Sequence, residues 1–240
     1  MIPTYNEKGN IGRLIEDILA LKITDEDIHI LVVDDNSPDG TSKTVSEIAT
    51  KNSRVRLITR TKQRGRGSAG IDGFRDALAS GANYIIEMDA DFSHHPHFIP
   101  ALIEAADAGA DVVLGSRFIK GGADKDRGAY RQVITKMAGI YVRTLLQLKT
   151  RDVSSGYRCF RREALEQIDL ENLISTGPSI VLEILFKCVM KGMKITEVPI
   201  VFIDRRQGET KLNWITLLET LVMVLRLRDL RQRGQLFKLK

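Results

Sequence analysis

The 240-residue sequence predicts an α/β fold, a doubly wound and mostly parallel sheet flanked by helices. Short β-branched runs alternate with helical periodicity through the first half, and two of the runs end in paired acids. An apolar fraction of 43% with 28% charged residues suits one substantial core and excludes a disordered chain. Two cysteines, Cys159 and Cys188, are too few for a disulfide framework, so both read as buried thiols of a reducing cytosol. The opening Met1-Ile2-Pro3-Thr4 lacks the basic, apolar and small-residue succession of a secretory signal, and the expectation is a protein that is not exported.

Met1-Ile2-Pro3 is too short for the first strand of such a sheet, which is expected to begin late or to lack most of that strand. Ile11, Leu14, Ile15, Ile18 and Leu19 follow at helical spacing, with Asn10 as candidate cap. Strands are expected at residues 29–34, 55–59, 84–89 and 111–115, and Ile99, Leu102, Ile103 and Ala106 mark another helix; Gly81 and Gly109 are placed to end helices. A polar, Gly-rich loop at 120–128 precedes a long helix with Ile134, Met137, Ala138, Tyr141, Leu145 and Leu148 on one face. A strand at 195–203, a loop at 204–213 and a last amphipathic helix complete the chain, without internal repeats. This predicts a catalytic unit at 1–213 and a helix with a basic tail at 214–240.

That helix carries Trp214, Leu217, Leu218, Leu221, Val222 and Leu225 as one stripe. Glu219 and Arg226 interrupt it well short of the roughly 18 apolar residues a membrane span requires. The net charge of +5 resides wholly in residues 226–240, which hold six Lys or Arg and one Asp. A basic tail after an apolar stripe suits an anionic membrane surface, whereas a nucleic-acid reader would show aromatic or base-reading residues beside it. A solvated charged end and a helix packed on its own core are the plain alternatives.

In open α/β sheets ligands gather at the carboxyl ends of the strands. The run ending at Met88 delivers Asp89-Ala90-Asp91, then Phe92-Ser93-His94-His95-Pro96. Two acids in alternate positions can ligate one hard cation, Mg²⁺ or Mn²⁺, which completes its shell with substrate phosphates. Alternatively Asp91 caps the next helix. His94 and His95 are adjacent, with no Cys or third ligand at zinc spacing, and read as loop residues. A second acidic end, Asp34-Asp35, precedes Asn36-Ser37-Pro38-Asp39-Gly40-Thr41, which is turn chemistry with Asp39 as candidate cap. The doubled acid exceeds what a turn requires and offers an acceptor to a base or ribose. Arg64-Gly65-Arg66-Gly67-Ser68-Ala69-Gly70 opens a helix and suits either phosphate approach or close packing on the sheet. Cations stand at Arg117, at Arg131, and in the loop Arg205-Arg206-Gln207-Gly208-Glu209-Thr210-Lys211.

Together, Pro3-Thr4-Tyr5-Asn6-Glu7, Val33-Asp34-Asp35-Asn36-Ser37-Pro38-Asp39-Gly40-Thr41, Met88-Asp89-Ala90-Asp91-Phe92-Ser93-His94-His95-Pro96, Gly115-Ser116-Arg117-Phe118 and Ser155-Gly156-Tyr157-Arg158 resemble the family 2 glycosyltransferases. Within that family they are most similar to the dolichyl-phosphate (polyprenol-phosphate) mannose synthases, from residue 1 to about Asn213. The resemblance implies a GT-A (nucleotide-diphospho-sugar transferase) sheet and inverting transfer of mannose from GDP-mannose to a polyprenyl monophosphate. It implies that Pro3, Tyr5, Glu7, Val33 and Asp35 hold the guanosine, that Asp89 and Ala90 line the diphosphate, and that Asp91 with Ser93 binds Mg²⁺ or Mn²⁺. Arg117 and Arg131 would meet the acceptor phosphate, and Arg205 and Lys211 would close over the donor. The protein would work at the cytoplasmic face of a membrane, with or without membrane-anchoring subunits. The family's Gly-Leu-Gly reads Gly65-Arg66-Gly67 here, and an aromatic residue usual near Arg127 is absent. Glucose transfer from UDP-glucose is the nearest competing reaction. A sugar-phosphate nucleotidyltransferase would carry a Gly-rich basic signature where this chain has Tyr5-Asn6-Glu7, and a non-catalytic membrane subunit would leave the acidic strand ends unexplained.

Overall fold

The computed structural model describes every residue except 24–26, 63, 126–127, 176, 204–213 and 238–240, and of residues 214–217 the backbone alone. Its first half is a run of βα units: β1 (Ile2–Thr4), α1 (Lys8–Leu19), β2 (Ile30–Asp34), α2 (Thr41–Ala49), β3 (Val55–Thr59), α3 (Arg66–Ala79), β4 (Tyr84–Glu87), α4 (Ile99–Asp107) and β5 (Val112–Ser116). The second half contains β6 (Ala123–Lys125), α5 (Ala129–Leu146), β7 (Arg158–Arg161), α6 (Arg162–Glu166), α7 (Ile180–Met190), β8 (Ile195–Pro199), β9 (Val201–Ile203) and α8 (Trp214–Gln232).

The short first stretch does form a strand, and an internal one. β1 pairs with β2 in parallel, Ile2 opposite Val32, while the Met1 amine donates to the Ile86 carbonyl and the Met88 amide donates to the Met1 carbonyl. Three residues suffice because hydrogen-bonded neighbours lie on both sides. The resulting order is β3-β2-β1-β4-β7-β5-β8, with β6 and β9 as a separate parallel pair. β7 runs antiparallel between β4 and β5 and has no counterpart in the sequence expectation, since arginines at both ends mask Cys159 and Phe160. The expected strand at 195–203 is two strands: β8 pairs with β5 and β9 with β6, and buried Ile200 lies at the break.

Sheet alternation sorts side chains into two cores. Val113 and Cys159 point to the face covered by α1, α2 and α4, whereas Val112, Leu114 and Phe160 point to the face covered by α3, α5, α7 and α8. Burial pushes both free thiols up to about 12, so Cys159 and Cys188 are packing residues. Gly81 and Gly109, at φ 82 and 94, close α3 and α4; the Gly81 and Ala82 amides donate to the Leu78 and Ala77 carbonyls. Asn10 is not the cap of α1. The helix starts at Lys8 with Glu7 at the cap position, and Asn10 Nδ2 donates back to Glu7 Oε2 at 3.0 Å.

Among the described side chains of α8, Val224, Leu227 and Leu230 are buried on the side packed with α5; of the expected stripe, Leu218, Val222 and Leu225 are exposed, and the side chains of Trp214 and Leu217 lie outside the described ones. On α5 the core takes Val142 and Leu146, and Met137, expected on the packed face, is exposed together with Tyr130, Val133 and Ile140. Leu148 lies beyond the helix end and is buried there. Among the described residues, no helix is long and apolar enough to cross a membrane.

Candidate active site

The strand order reverses between β1 and β4, and at such a switch point loops diverge to leave a crevice at the carboxyl ends. Three residues other than glycine adopt left-handed backbone there, one after each strand of the region: Asn6 (φ 61), Asn36 (φ 52) and Phe92 (φ 61). Asparagine tolerates this conformation, whereas a phenylalanine is strained by it, a pattern concentrated at functional sites.

The turns after β1 and β2 are stitched together. The Asn6 amide donates to Ser37 Oγ (2.9 Å), the Glu7 amide to Thr41 Oγ1 (3.0 Å) and the Lys8 amide to Asp39 Oδ2 (3.0 Å). Asp39 also accepts from the Thr41 amide and hydroxyl, which does the work expected of a cap although Gly40 occupies the cap position of α2. Asp34 is fully buried. Its Oδ1 accepts from Thr4 Oγ1 (2.8 Å) and Ser37 Oγ (2.6 Å), its Oδ2 from the Ser37 amide (2.8 Å) and Ser42 Oγ (2.5 Å). Asp35 accepts from Arg60 Nη1 (2.6 Å) and from the Gly65 amide (2.7 Å), which anchors the start of α3. Pro3, Tyr5 and Glu7 are half-buried at this end of the sheet. Val33 is fully buried with Cγ2 against α3 at Gly73, so this position presents only its backbone to the crevice.

At the end of β4, Asp91 Oδ1 accepts from both the Ser93 hydroxyl (2.6 Å) and the Ser93 amide (3.1 Å). Asp91 therefore caps no helix: the next helical turn begins at Pro96, where His95 accepts from the His97 amide. Ser93 is itself buried and orients the carboxylate. Asp89 meets Arg66 from α3, with Nη2 2.9 Å and Nε 3.3 Å from Oδ1, and the same Nη2 lies 3.7 Å from Glu87 Oε1. The Gly-rich opening of α3 thus supports close packing, Gly70 against Glu87 and Gly73 against Met1, and delivers a guanidinium as well.

His94 is no idle loop residue. Its Nδ1 accepts from the Asp89 amide (3.1 Å), and its ring stacks on Tyr157 at 5.0 Å with Phe202 edge-on at 5.8 Å. Burial holds it below the ordinary histidine pKa against the pull of Asp89 and Asp91, and Arg66 and Arg117 are the other charges acting on it. Four charged side chains therefore converge on one neutral imidazole.

Arg117 leaves the end of β5 to form a two-point pair with buried Asp152, Nε to Oδ2 and Nη2 to Oδ1 both at 2.7 Å, between the rings of Phe118 and Phe202. Arg131 stands in the first turn of α5, half-buried, after the β6–β9 pair. Arg205 and Lys211 lie outside the described residues. Sequence reasoning passed over Arg66 and His94, whose partners are 23 and 5 residues away, and Asp152, 35 residues from Arg117 in an unremarkable loop.

The acids at β4 fit a hard divalent cation that keeps most of its shell for phosphate oxygens and water. Among the described residues no group of three or more His, Cys, Asp or Glu offers a closed all-protein cage.

The chain is 38% identical over 225 residues to a polyprenol monophosphomannose synthase of Mycolicibacterium smegmatis, covering 93% of this chain and 84% of that one. It is 38% identical to an undecaprenyl-phosphate mannosyltransferase of Micrococcus luteus, covering 94% and 91%. It is 40% identical to a dolichol-phosphate mannosyltransferase of Pyrococcus furiosus, covering 95% of this chain and 62% of that one. In fold it is similar to glucosyl-3-phosphoglycerate synthase of Mycobacterium tuberculosis, solved with Mn²⁺ and UDP-glucose, at a TM-score of 0.65 and 20% identity over 97% of this chain and 77% of the other. The family model for glycosyl transferase family 2 matches residues 1–169, so the chain belongs to that family and is a glycosyltransferase.

Proposed function

We propose that the enzyme transfers mannose from GDP-mannose to a polyprenyl monophosphate with inversion at the sugar carbon. The observation that carries this reading is the Asp89-Ala90-Asp91 strand end facing Arg66 at the switch point, in a chain 38–40% identical to proteins named for mannosyl transfer to polyprenyl phosphates. The UDP-glucose neighbour is only 20% identical and bears on fold alone.

Pro3, Tyr5, Glu7, Asp35 and the Val33 backbone hold the guanosine. Asp35 keeps acceptor capacity for it, because each carboxylate oxygen has two lone pairs. Asp89 and Ala90 line the diphosphate, Asp91 oriented by Ser93 takes Mg²⁺ or Mn²⁺, and Arg205 and Lys211 close over the donor. The cation, when bound, supplies neutralisation of the charge that grows on the departing diphosphate. Arg117 and Arg131 align the acceptor phosphate, and the Asp152 pair fixes the Arg117 guanidinium in place. The nucleophile needs no base: a phosphate monoester with a second pKa near ~6 is largely dianionic at neutral pH. His94 accordingly serves to fix the Asp89 backbone and not to move a proton.

Residues 1–213 form the catalytic unit. Residues 214–240 and the outer face of α5 seat it on the cytoplasmic face of a membrane, with Tyr130, Val133, Met137, Ile140, Leu218, Val222 and Leu225 in the apolar layer and Arg226, Arg228 and Arg233 toward anionic headgroups. Incubation with Mg²⁺, polyprenyl phosphate and each labelled nucleotide sugar tests the reaction. Mannose label from GDP-mannose is expected in the lipid phase, and glucose label from UDP-glucose in its place would overturn the donor. Replacing exposed Arg226, Arg228 and Arg233 by Gln, which keeps packed Leu227 and Leu230, is expected to abolish salt-sensitive liposome binding while activity on a short soluble acceptor is retained.

A further inference from the structure

Arg66 is the cation nearest the β4 acids, and its placement is built in from several sides. Gly65, at φ 128, turns the chain into α3, and its amide is fixed by Asp35. Arg60 holds Asp35 and donates to Ser68 Oγ, which in turn donates to the Gly65 carbonyl. From this fixed base the Arg66 side chain crosses to β4 and lies against Gly156, where a Cβ would stand 2.5 Å from Nη2. Only glycine at 156 leaves room for the guanidinium there. Asp89, Glu87 and Asp91 raise the Arg66 pKa above the ordinary arginine value although burial opposes them, so the group is permanently charged. The side chains of Arg66 and Asp89 are 26% and 27% exposed, open to a ligand at one edge. Among the described residues Nη1 of Arg66 donates to nothing, while Nε and Nη2 are both committed to Asp89.

The acid pair Asp89 and Asp91 would alone attract a divalent cation and repel a bare diphosphate. A fixed guanidinium among them weakens the first tendency and reverses part of the second. We propose that Arg66 is a positioning residue that couples metal to donor: it holds Asp89 in a neutralised pair, keeps the acid pair a weak metal site by itself, and donates from Nη1 to the diphosphate, so that cation and nucleoside diphosphate are taken up together. The inference rests on the reading of the donor as a nucleoside diphosphate sugar and adds the device that orders its capture.

Coupling is reciprocal, so it is measurable from either ligand. Mn²⁺ binding to the full chain is followed by the electron paramagnetic resonance of the free ion, and GDP or UDP binding by calorimetry. In the parent protein the diphosphate is expected to tighten Mn²⁺ by about tenfold or more. In Arg66→Leu, Mn²⁺ alone is expected to bind about fivefold tighter and the metal-free diphosphate about fivefold weaker, with the coupling reduced. These shifts have opposite signs, which mere loss of structure cannot produce. Arg66→Lys keeps the charge without the planar fork and is expected to restore the weak Mn²⁺ affinity but only part of the diphosphate affinity. Unchanged or weaker Mn²⁺ binding in Arg66→Leu overturns the proposal. Should that variant not fold, absence of coupling in the parent, or Mn²⁺ affinity in Arg66→Lys on the tight side, overturns it equally. Neither sugar nor lipid enters these measurements, so a parent that shows coupling yet transfers no mannose sinks the substrate reading and leaves this one standing.

Discussion

The molecule presents two acidic strand ends on either side of β1, and they are used differently. At β2, Asp34 receives four donors divided over both oxygens, and Asp35 is paired with Arg60, itself 5% exposed. At β4, Ser93 donates to Asp91 Oδ1 from both its amide and its hydroxyl, while Asp89 meets a guanidinium that is a quarter exposed. Asp34 is thus held as part of the turn, whereas the β4 acids, like Asp35, are proposed to meet the donor. Each following turn gives one serine's amide and hydroxyl, Ser37 to Asp34 and Ser93 to Asp91, and what distinguishes Asp34 is that Thr4 and Ser42 donate to it as well.

The sharpest break of this comparison is Asp91→Ala. It should lower transfer by about 10³-fold while the protein still folds. Labelled-mannose transfer and circular dichroism measure the two halves, and a chelator should mimic the variant in the parent. Activity persisting in both experiments would remove the cation from Asp91.

A second test concerns the cation side, where Arg117 and Asp152 form a pair as closed as those at β2. Breaking a buried pair costs about 3–5 kcal/mol, so Asp152→Asn should destabilise the fold strongly. It should also change the acid limb. Burial pushes the Asp152 carboxyl up, but the Arg117 hydrogen bonds and charge outweigh it and leave the folded value below the ordinary 3.8. Its contribution is therefore complete above the unfolded value and lost as the pH falls from about 4 through the folded one. Melting temperatures from pH 6 downward should fall more steeply in the parent than in Asp152→Asn, and parallel curves would contradict the assignment.

Asp34→Ala probes the closed end of β2. Leaving its donors unpartnered should cost about 3 kcal/mol, or about 6–12 °C in melting temperature for a chain of this size. Mn²⁺ affinity should be retained. A variant that kept its stability and lost Mn²⁺ would reverse the roles of the two ends.

Much of this arrangement was legible beforehand, and the reason is physical. The βα alternation, the acidic strand ends and the helix-ending glycines are local patterns whose partners lie within one turn or on the adjacent strand. Residues whose meaning depends on distant chain stayed silent. β7 shows no periodicity of its own because its alternation runs between arginines that reach opposite faces, Arg158 to the Ser155, Val153 and Val181 carbonyls and Arg161 to Ala106. Arg66 looked like one more charge in a glycine-rich turn, since nothing nearby announces Asp89. The stripe on α8 was visible, but which face would pack depended on α5, 80 residues away in the contact between Tyr141 and Leu221.

The smallest expected effects compare two serines that do the same chemistry at the two ends. Ser42 Oγ donates to Asp34 Oδ2 at 2.5 Å and Ser93 Oγ donates to Asp91 Oδ1 at 2.6 Å. Removing the hydroxyl from Ser42 withdraws one of four donors from a carboxylate that touches no ligand. Ser42→Ala should therefore lower stability by about 1 kcal/mol, about 2–4 °C in melting temperature, with Mn²⁺ affinity in the presence of GDP unchanged. Ser93→Ala keeps the backbone amide on Asp91 and so keeps the fold. It loosens the orientation of the carboxylate that takes the cation, for which a loss of about tenfold in Mn²⁺ affinity is expected. If both variants shifted the same observable, Asp34 and Asp91 would not be functionally distinct.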